Sequence, residues 1–63
     1  MTYTYKTKKG LNKETFKNGF QTLVQNGKQM YEVRHNSIEM SFYEMQLVAS
    51  LENRGIEYKV ENK

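Results

Sequence analysis

Alternation of apolar and polar residues predicts β-strands in three parts of the chain. A period of two places successive side chains on opposite faces of a sheet, so each such stretch has one apolar and one polar face. The large apolar side chains at alternate positions are Tyr3 and Tyr5, then Tyr31 and Val33, then Ile56, Tyr58 and Val60. We therefore predict strands over residues 2–8, 29–35 and 56–60.

Between the first two of these stretches the apolar period lengthens, which predicts a helix from residue 11 to residue 27. Four apolar side chains share one helical face at spacings of i, i+4, i+7 and i+8: Phe16, Phe20, Leu23 and Val24. Asn12 suits the N-cap, and Gly27 is suited to end the helix. Gly19 lies inside this segment, where it costs about 1 kcal/mol relative to Ala. Its lack of a side chain predicts close packing or the approach of a ligand.

A second helix is predicted from residue 41 onward because both of its ends carry recognisable signals. Ser41 and Glu44 have the spacing of a capping box, in which each side chain bonds the backbone N–H of the other residue. Gly55 suits the left-handed position after a helix, and the apolar pair Leu51 and Ile56 has the spacing of a Schellman motif. These signals predict a helix of about 13 residues.

Residues 38–40 complete the predicted elements as a short third strand after a turn at Asn36-Ser37. In that register Arg34 lies opposite Glu39, which is a favourable pair. The order β-α-β-β-α-β resembles the ferredoxin-like split βαβ fold. The resemblance implies an α+β domain with a four-stranded antiparallel sheet in the order 4-1-3-2 and both helices on one face. The alternative is a three-stranded sheet with two helices and a loose N-terminal arm.

The alternation also assigns the tyrosines to a face. Tyr3, Tyr5, Tyr31 and Tyr58 share the apolar side of their strands, so we expect helices to cover them. The opposite side combines Thr, Lys, Glu and Arg residues without an aromatic side chain, which argues against RNA binding by base stacking on the sheet.

Length and composition limit the classes of protein to which the chain can belong. We expect residues 1–63 to form a single small domain, which buries little surface and which dimerisation would stabilise. The absence of Cys excludes disulfides and thiolate metal sites. We find no apolar run of the length that crosses a membrane and no signal segment, so we expect a cytoplasmic protein without membrane contact.

Charge is distributed unevenly along the chain. Residues 1–28 contain six Lys and one Glu, whereas residues 29–63 contain four basic residues and six Glu. Such a basic half predicts weak, salt-sensitive and sequence-tolerant binding of nucleic acid as one possible function. The lysines that would bind it are Lys6, Lys8, Lys9, Lys13, Lys17 and Lys28. The alternatives are an acidic protein partner and an ordinary solvated surface.

The second predicted helix has more apolar surface than one core contact needs. Leu47, Val48 and Leu51 form the stripe expected to face the sheet. A further stripe lies on the other side of the helix, and it either packs on the first helix or binds a partner or a second copy. The predicted partner-binding residues are Phe42, Met45 and Ala49 in this further stripe, together with Tyr43, which is expected at the edge of the stripe that faces the sheet.

No catalytic set, metal site or cofactor site is evident in the sequence. Glu44 is explained by the predicted capping box, and His35 has no second ligand or base at a readable spacing. We therefore predict a non-enzymatic protein-binding regulator or inhibitor without a small-molecule substrate. In composition the chain resembles small accessory proteins of phages and mobile elements, which implies that a host protein is its partner.

Overall fold

A single antiparallel sheet, crossed on one face by a helix, forms the protein. The computed structural model describes residues 1–62; Lys63, which was counted among the charges above, lies outside them. Within that range the elements are β1 (Thr2–Thr7), β2 (Gly10–Lys17), β3 (Phe20–Gln25), β4 (Lys28–Arg34), α1 (Ser37–Asn53) and β5 (Tyr58–Glu61). The strand order is β4-β3-β2-β1-β5, and every neighbouring pair is antiparallel.

Two Asn-Gly hairpins replace the predicted helix over residues 11–27, so that prediction is wrong. Asn18 and Gly19 connect β2 to β3, and Asn26 and Gly27 connect β3 to β4. All four residues have φ between 53° and 81°. Two consecutive residues with positive φ form the tight turn that matches the twist of a hairpin, and Asn-Gly is its preferred sequence. Gly19 is therefore a turn residue and not an interruption within a helix.

The apolar residues of this region have a helical spacing by chance, because they belong to two different faces of the sheet. Phe16 and Leu23 face α1, whereas Phe20 and Val24 point to the opposite side, as their strand partners show. A regular helix would place all four on one side. The local preference of the two Asn-Gly turns therefore overrides the helical period.

The N-cap of the helix lies five residues before the predicted N-cap, Ser41. Asn36 is the N-cap: its side chain accepts from the backbone N–H of Glu39 at 2.8 Å, and the Glu39 carboxylate accepts from the backbone N–H of Asn36 at 3.1 Å. This capping box replaces the predicted one at Ser41 and Glu44. The predicted strand over residues 38–40 is therefore wrong, as is the pairing of Arg34 with Glu39, because these residues form the first helical turn.

The predicted end of the helix is confirmed. Gly55 has φ of 66°. The backbone N–H of Ile56 donates to the carbonyl of Leu51 at 2.9 Å, and that of Gly55 donates to the carbonyl of Glu52 at 3.1 Å. These two bonds define a Schellman motif with Leu51 and Ile56 at the predicted positions.

The ferredoxin-like fold is contradicted, and so is its three-stranded alternative. Residues 1–62 contain five strands and one helix, with β1 between β2 and β5 rather than in a loose arm. The three strands predicted from alternation are confirmed with small shifts: residues 2–8, 29–35 and 56–60 correspond to β1, β4 and β5. The two missed strands, β2 and β3, lie within the segment predicted as the first helix.

One face of the sheet lies under α1 and the other has no covering element within residues 1–62; we name them the covered face and the open face. The buried apolar side chains among the described residues are Tyr3, Phe16 and Leu51. The rings of Tyr3 and Phe16 meet edge to face with centroids 5.9 Å apart, and Leu51 of α1 has no exposed surface. The core is therefore small and lies between α1 and the centre of the sheet.

Candidate functional site

The helix presents a continuous apolar line to solvent, which we name the outer stripe: Ile38, Phe42, Met45 and Ala49. The exposed fractions of Ile38, Met45 and Phe42 are 82%, 70% and 56%. The spacing i, i+4, i+7 and i+11 keeps these residues on one side of a helix. The predicted inward stripe, Leu47, Val48 and Leu51, is buried or half-buried, so the predicted rotation of this helix is confirmed.

The outer stripe lies in an acidic helix but has mostly neutral neighbours. Residues 37–53 contain Glu39, Glu44 and Glu52 and no Lys or Arg. Helical geometry places Ser41 and Gln46 beside the stripe, while Glu52 flanks its C-terminal end. A surface of this kind combines an apolar centre that is easily desolvated with a negative potential around it.

Tyr43, the fourth predicted partner-binding residue, points toward the β4 side of the helix and not along the outer stripe. Its ring stacks on the imidazole of His35 with centroids 4.4 Å apart and an interplanar angle of 27°. The ring of Phe42 meets Tyr43 edge to face at 5.7 Å. Three of the four predicted residues thus share one line, and Tyr43 adjoins it through Phe42.

The open face is a basic surface with an exposed aromatic ring at one end. Residues directly opposite each other on antiparallel strands point to the same side, so the strand pairs identify its members. The charged residues on it are Lys6, Lys13, Lys17, Arg34 and Lys59, against Glu32 and Glu61. Phe20 lies between Lys17 and Arg34, is 38% exposed and has the Arg34 guanidinium 6.0 Å from its ring centroid.

The predicted nucleic-acid-binding lysines are divided among three places. Lys6, Lys13 and Lys17 lie on the open face. Lys8 and Lys9 form the turn between β1 and β2, where they line an open cleft together with Lys6 and Arg54. Lys28 begins β4 opposite Gln25, whose other neighbour Asn12 belongs to the covered face. The predicted set is therefore not one surface.

Sequence reasoning missed Phe20 on the open face and Ile38 in the outer stripe. It assigns Arg34 and Lys59 to the correct side of the sheet but does not include them among the nucleic-acid-binding residues. The statement that the polar side of the sheet has no aromatic residue is wrong because Phe20 belongs to a strand. The signal that would have located Phe20 is the pair of Asn-Gly turns on either side of residues 20–25. Ile38 was assigned to a strand because the capping box at Asn36 was not recognised.

A buried carboxylate lies at the centre of the covered face. Glu14 accepts hydrogen bonds from the hydroxyls of Tyr5 at 2.9 Å and Tyr31 at 3.1 Å and from the side-chain amide of Gln21. The side-chain oxygen Oε1 of Gln21 is in turn 2.8 Å from Nε2 of His35. Burial, followed by the effect of the Glu14 carboxylate, raises the pKa of Tyr31 to about 12. Burial and the same carboxylate also raise the pKa of Tyr5.

Glu44 does not cap the helix but lies half-buried near Tyr3. Burial raises the pKa of Tyr3 to about 12, and the neighbouring Glu44 carboxylate adds to the shift. The Tyr58 hydroxyl donates to Glu52 at 3.0 Å, and this bond raises the pKa of Tyr58. Together with the Glu14 hydrogen bonds, these contacts engage the polar ends of four tyrosines on the covered side.

Neither a metal centre nor a membrane span is found among the described residues. No group of three or more His, Cys, Asp and Glu side chains in residues 1–62 is arranged to hold a metal ion. No helix in that range is long and apolar enough to cross a bilayer. Comparison of the chain with protein-family models, with curated proteins and with solved structures finds no match. The exposed surfaces are therefore the basis for inferring a function.

Proposed function

We propose that the protein is a non-enzymatic protein-binding module that docks the outer stripe of α1 into an apolar groove on another protein. The observation that carries this proposal is the exposure of Ile38, Phe42 and Met45 on one line of the helix. An amphipathic helix in a groove presents anchors at about these spacings. Met and Phe are side chains that interface cores favour.

The small core supports the same proposal. Only Tyr3, Phe16 and Leu51 are buried apolar side chains within residues 1–62, while several other large apolar side chains are exposed. Covering the outer stripe would remove apolar surface from water at about 25 cal/mol per Å². A bound partner therefore adds stability that the isolated chain lacks.

The charge of the helix selects a different protein over a second copy of this chain. Two copies joined through the outer stripe would bring two acidic helices together, and the carboxylates of Glu39 and Glu52 would repel one another. A groove whose rim carries Lys and Arg would instead complement these carboxylates. Occupying such a groove would block it for its usual ligand, which is how the protein would act as a regulator or inhibitor.

The test compares three tagged proteins as bait in a lysate of the source cells: the wild type, Phe42→Ser with Met45→Ser, and Met30→Ser as the matched control. Met30 is exposed and belongs to β4, not to α1. We expect one defined partner to be retained by wild type and control and reduced at least tenfold by the double variant, since central apolar anchors contribute about 2 kcal/mol or more. Circular dichroism should show that all three are folded.

Equal capture by all three baits would refute docking through the outer stripe. Sedimentation equilibrium of the purified proteins tests the alternative partner. The wild type would form concentration-dependent dimers, and the double variant would not, if the outer stripe bound a second copy of the chain. That result would contradict the charge argument and the proposal of a different protein as partner.

A further inference from the structure

We propose that the open face binds single-stranded nucleic acid, with Phe20 as a stacking platform and Lys13, Lys17 and Arg34 as contacts to phosphates. This surface lies on the side of the sheet opposite α1, so the inference does not depend on the outer stripe. It also redefines the predicted basic surface, because Phe20 and Arg34 join it and Lys8, Lys9 and Lys28 leave it.

The net charge of the open face is positive, and its basic side chains lie where a nucleic-acid strand could contact them. Its five basic side chains outnumber Glu32 and Glu61, which lie on the two edge strands β4 and β5. Lys13 and Lys17 project from β2, the central strand of the sheet. A strand of phosphates crossing the middle of this face would therefore meet Lys residues and avoid both carboxylates.

The aromatic ring distinguishes this surface from an ordinary solvated one. Phe20 is exposed with the guanidinium of Arg34 beside it, and Lys17 is its partner on the neighbouring strand. A base can stack on an exposed ring whatever its identity, and Arg adds a favourable interaction with the same π system. Such stacking predicts binding that tolerates different sequences.

The shape of the open face favours a single strand over a duplex. Reading the bases of a duplex requires a helix or a two-stranded ribbon that enters a groove of the DNA. Within residues 1–62 no such element projects from the open face. From Phe20 to the pair of Lys6 and Leu11, the face extends about 20 Å along the strands, counted as six residues at about 3.4 Å each. Thr residues between these ends supply hydroxyls that can donate to phosphates.

The experiment measures fluorescence anisotropy of a labelled single-stranded oligothymidylate and its duplex at low and moderate salt. Two matched pairs of variants distinguish the faces. Phe20→Leu removes the ring from the open face and Phe42→Leu removes one from α1; Lys17→Glu and Lys28→Glu make the same change of charge on different faces. Phe20→Tyr keeps a ring in place, and melting curves confirm that each variant folds.

We expect single-stranded binding at low salt with a slope of log K against log salt of about −2 to −3.5, for three to five phosphate contacts. Phe20→Leu should weaken it about fivefold or more, and Phe20→Tyr should restore it. Lys17→Glu should weaken it and lower the slope by about 0.7, while Phe42→Leu and Lys28→Glu should bind as the wild type does. This pattern would support the proposal.

Three results would overturn it. The first is no rise in anisotropy at low salt with any variant. The second is equal weakening by Lys17→Glu and Lys28→Glu without any effect of Phe20→Leu, which would indicate attraction by net charge alone. The third is tighter binding of the duplex than of the single strand.

Discussion

Replacing Leu51 with Ala tests the orientation of α1, on which the proposed interface depends. Leu51 is fully buried on the side of α1 that faces the sheet, whereas Ile38 is the most exposed member of the outer stripe. If the helix were rotated, Leu51 would be exposed and the outer stripe would form the core. The matched change Ile38→Ala therefore serves as the control.

The structure sets the size of the effect. Truncating a fully buried Leu to Ala costs about 2–5 kcal/mol, through lost burial and the cavity that remains. A chain of 63 residues has a total unfolding free energy of about 3–9 kcal/mol, at 0.05–0.15 kcal/mol per residue. The Schellman bond uses the backbone carbonyl of Leu51, which Ala retains. The loss is thus one of packing, and it removes a large part of the stability.

Thermal and urea unfolding followed by circular dichroism would measure both variants. For Leu51→Ala we expect the Tm to fall by at least about 8 °C, since 1 kcal/mol shifts it by about 4–8 °C in a domain of this size. For Ile38→Ala we expect a change within about 0.5 kcal/mol. A loss for Ile38→Ala as large as that for Leu51→Ala would show that the outer stripe is buried and would refute the proposed interface.

Two further predictions concern the covered face and the hairpins. The pKa values of Tyr3 and Tyr31 rise from 10.0 to about 12 on folding, so the folded state keeps protons that the unfolded state loses. The contribution of these two tyrosines to stability should be constant below about pH 9 and fall between pH 10 and 12, by at most about 1.4 kcal/mol per pH unit for each tyrosine, and less for the partly exposed Tyr31. Urea titrations across this range would measure the fall, and Tyr31→Phe should make it shallower; an unchanged slope in that variant would contradict the role of Tyr31. Gly27→Ala should cost about 1–2 kcal/mol because φ there is 81° while a Cβ would meet nothing within 4 Å, so the loss is one of backbone strain. If Gly27→Ala had the same unfolding free energy as the wild type, that result would argue against the left-handed turn between β3 and β4.

Much of the fold follows from local features of the sequence, but not from those that the apolar period suggests. The alternation that includes Tyr3, Tyr31 and Val60 locates three strands and assigns their faces correctly. The spacing of Phe16 and Phe20 predicts a helix that the two Asn-Gly turns forbid. The turns are the stronger signal because positive φ at consecutive residues is accessible to few sequences, whereas a helical spacing over four residues occurs by chance.

The candidate surfaces could be predicted only in part, for the same reason. Phe42, Met45 and Ala49 follow from the helical period and the position of Gly55, which are local properties. Phe20 becomes a neighbour of Arg34 only when β3 pairs with β4, and a neighbour of Lys17 only when β3 pairs with β2. The prediction of a basic half of the chain therefore identified suitable charges but grouped Lys28 with residues on another face.

The sequence by itself determined the elements whose causes lie within a few residues: the alternating strands, the Asn-Gly turns, the Asn36 capping box and the Schellman end at Gly55. Their stability comes from backbone sterics and nearby hydrogen bonds, which a short segment contains. The tertiary structure alone decided that a single helix must cover five strands. A helix that packs on one face of a sheet leaves the opposite face uncovered, so the open face and the outer stripe remain exposed. Glu14 on β2 is buried only because side chains from β1, β3 and β4 surround it. Burial depends on which segments meet across the whole chain, and this chain leaves both of its candidate binding surfaces unburied.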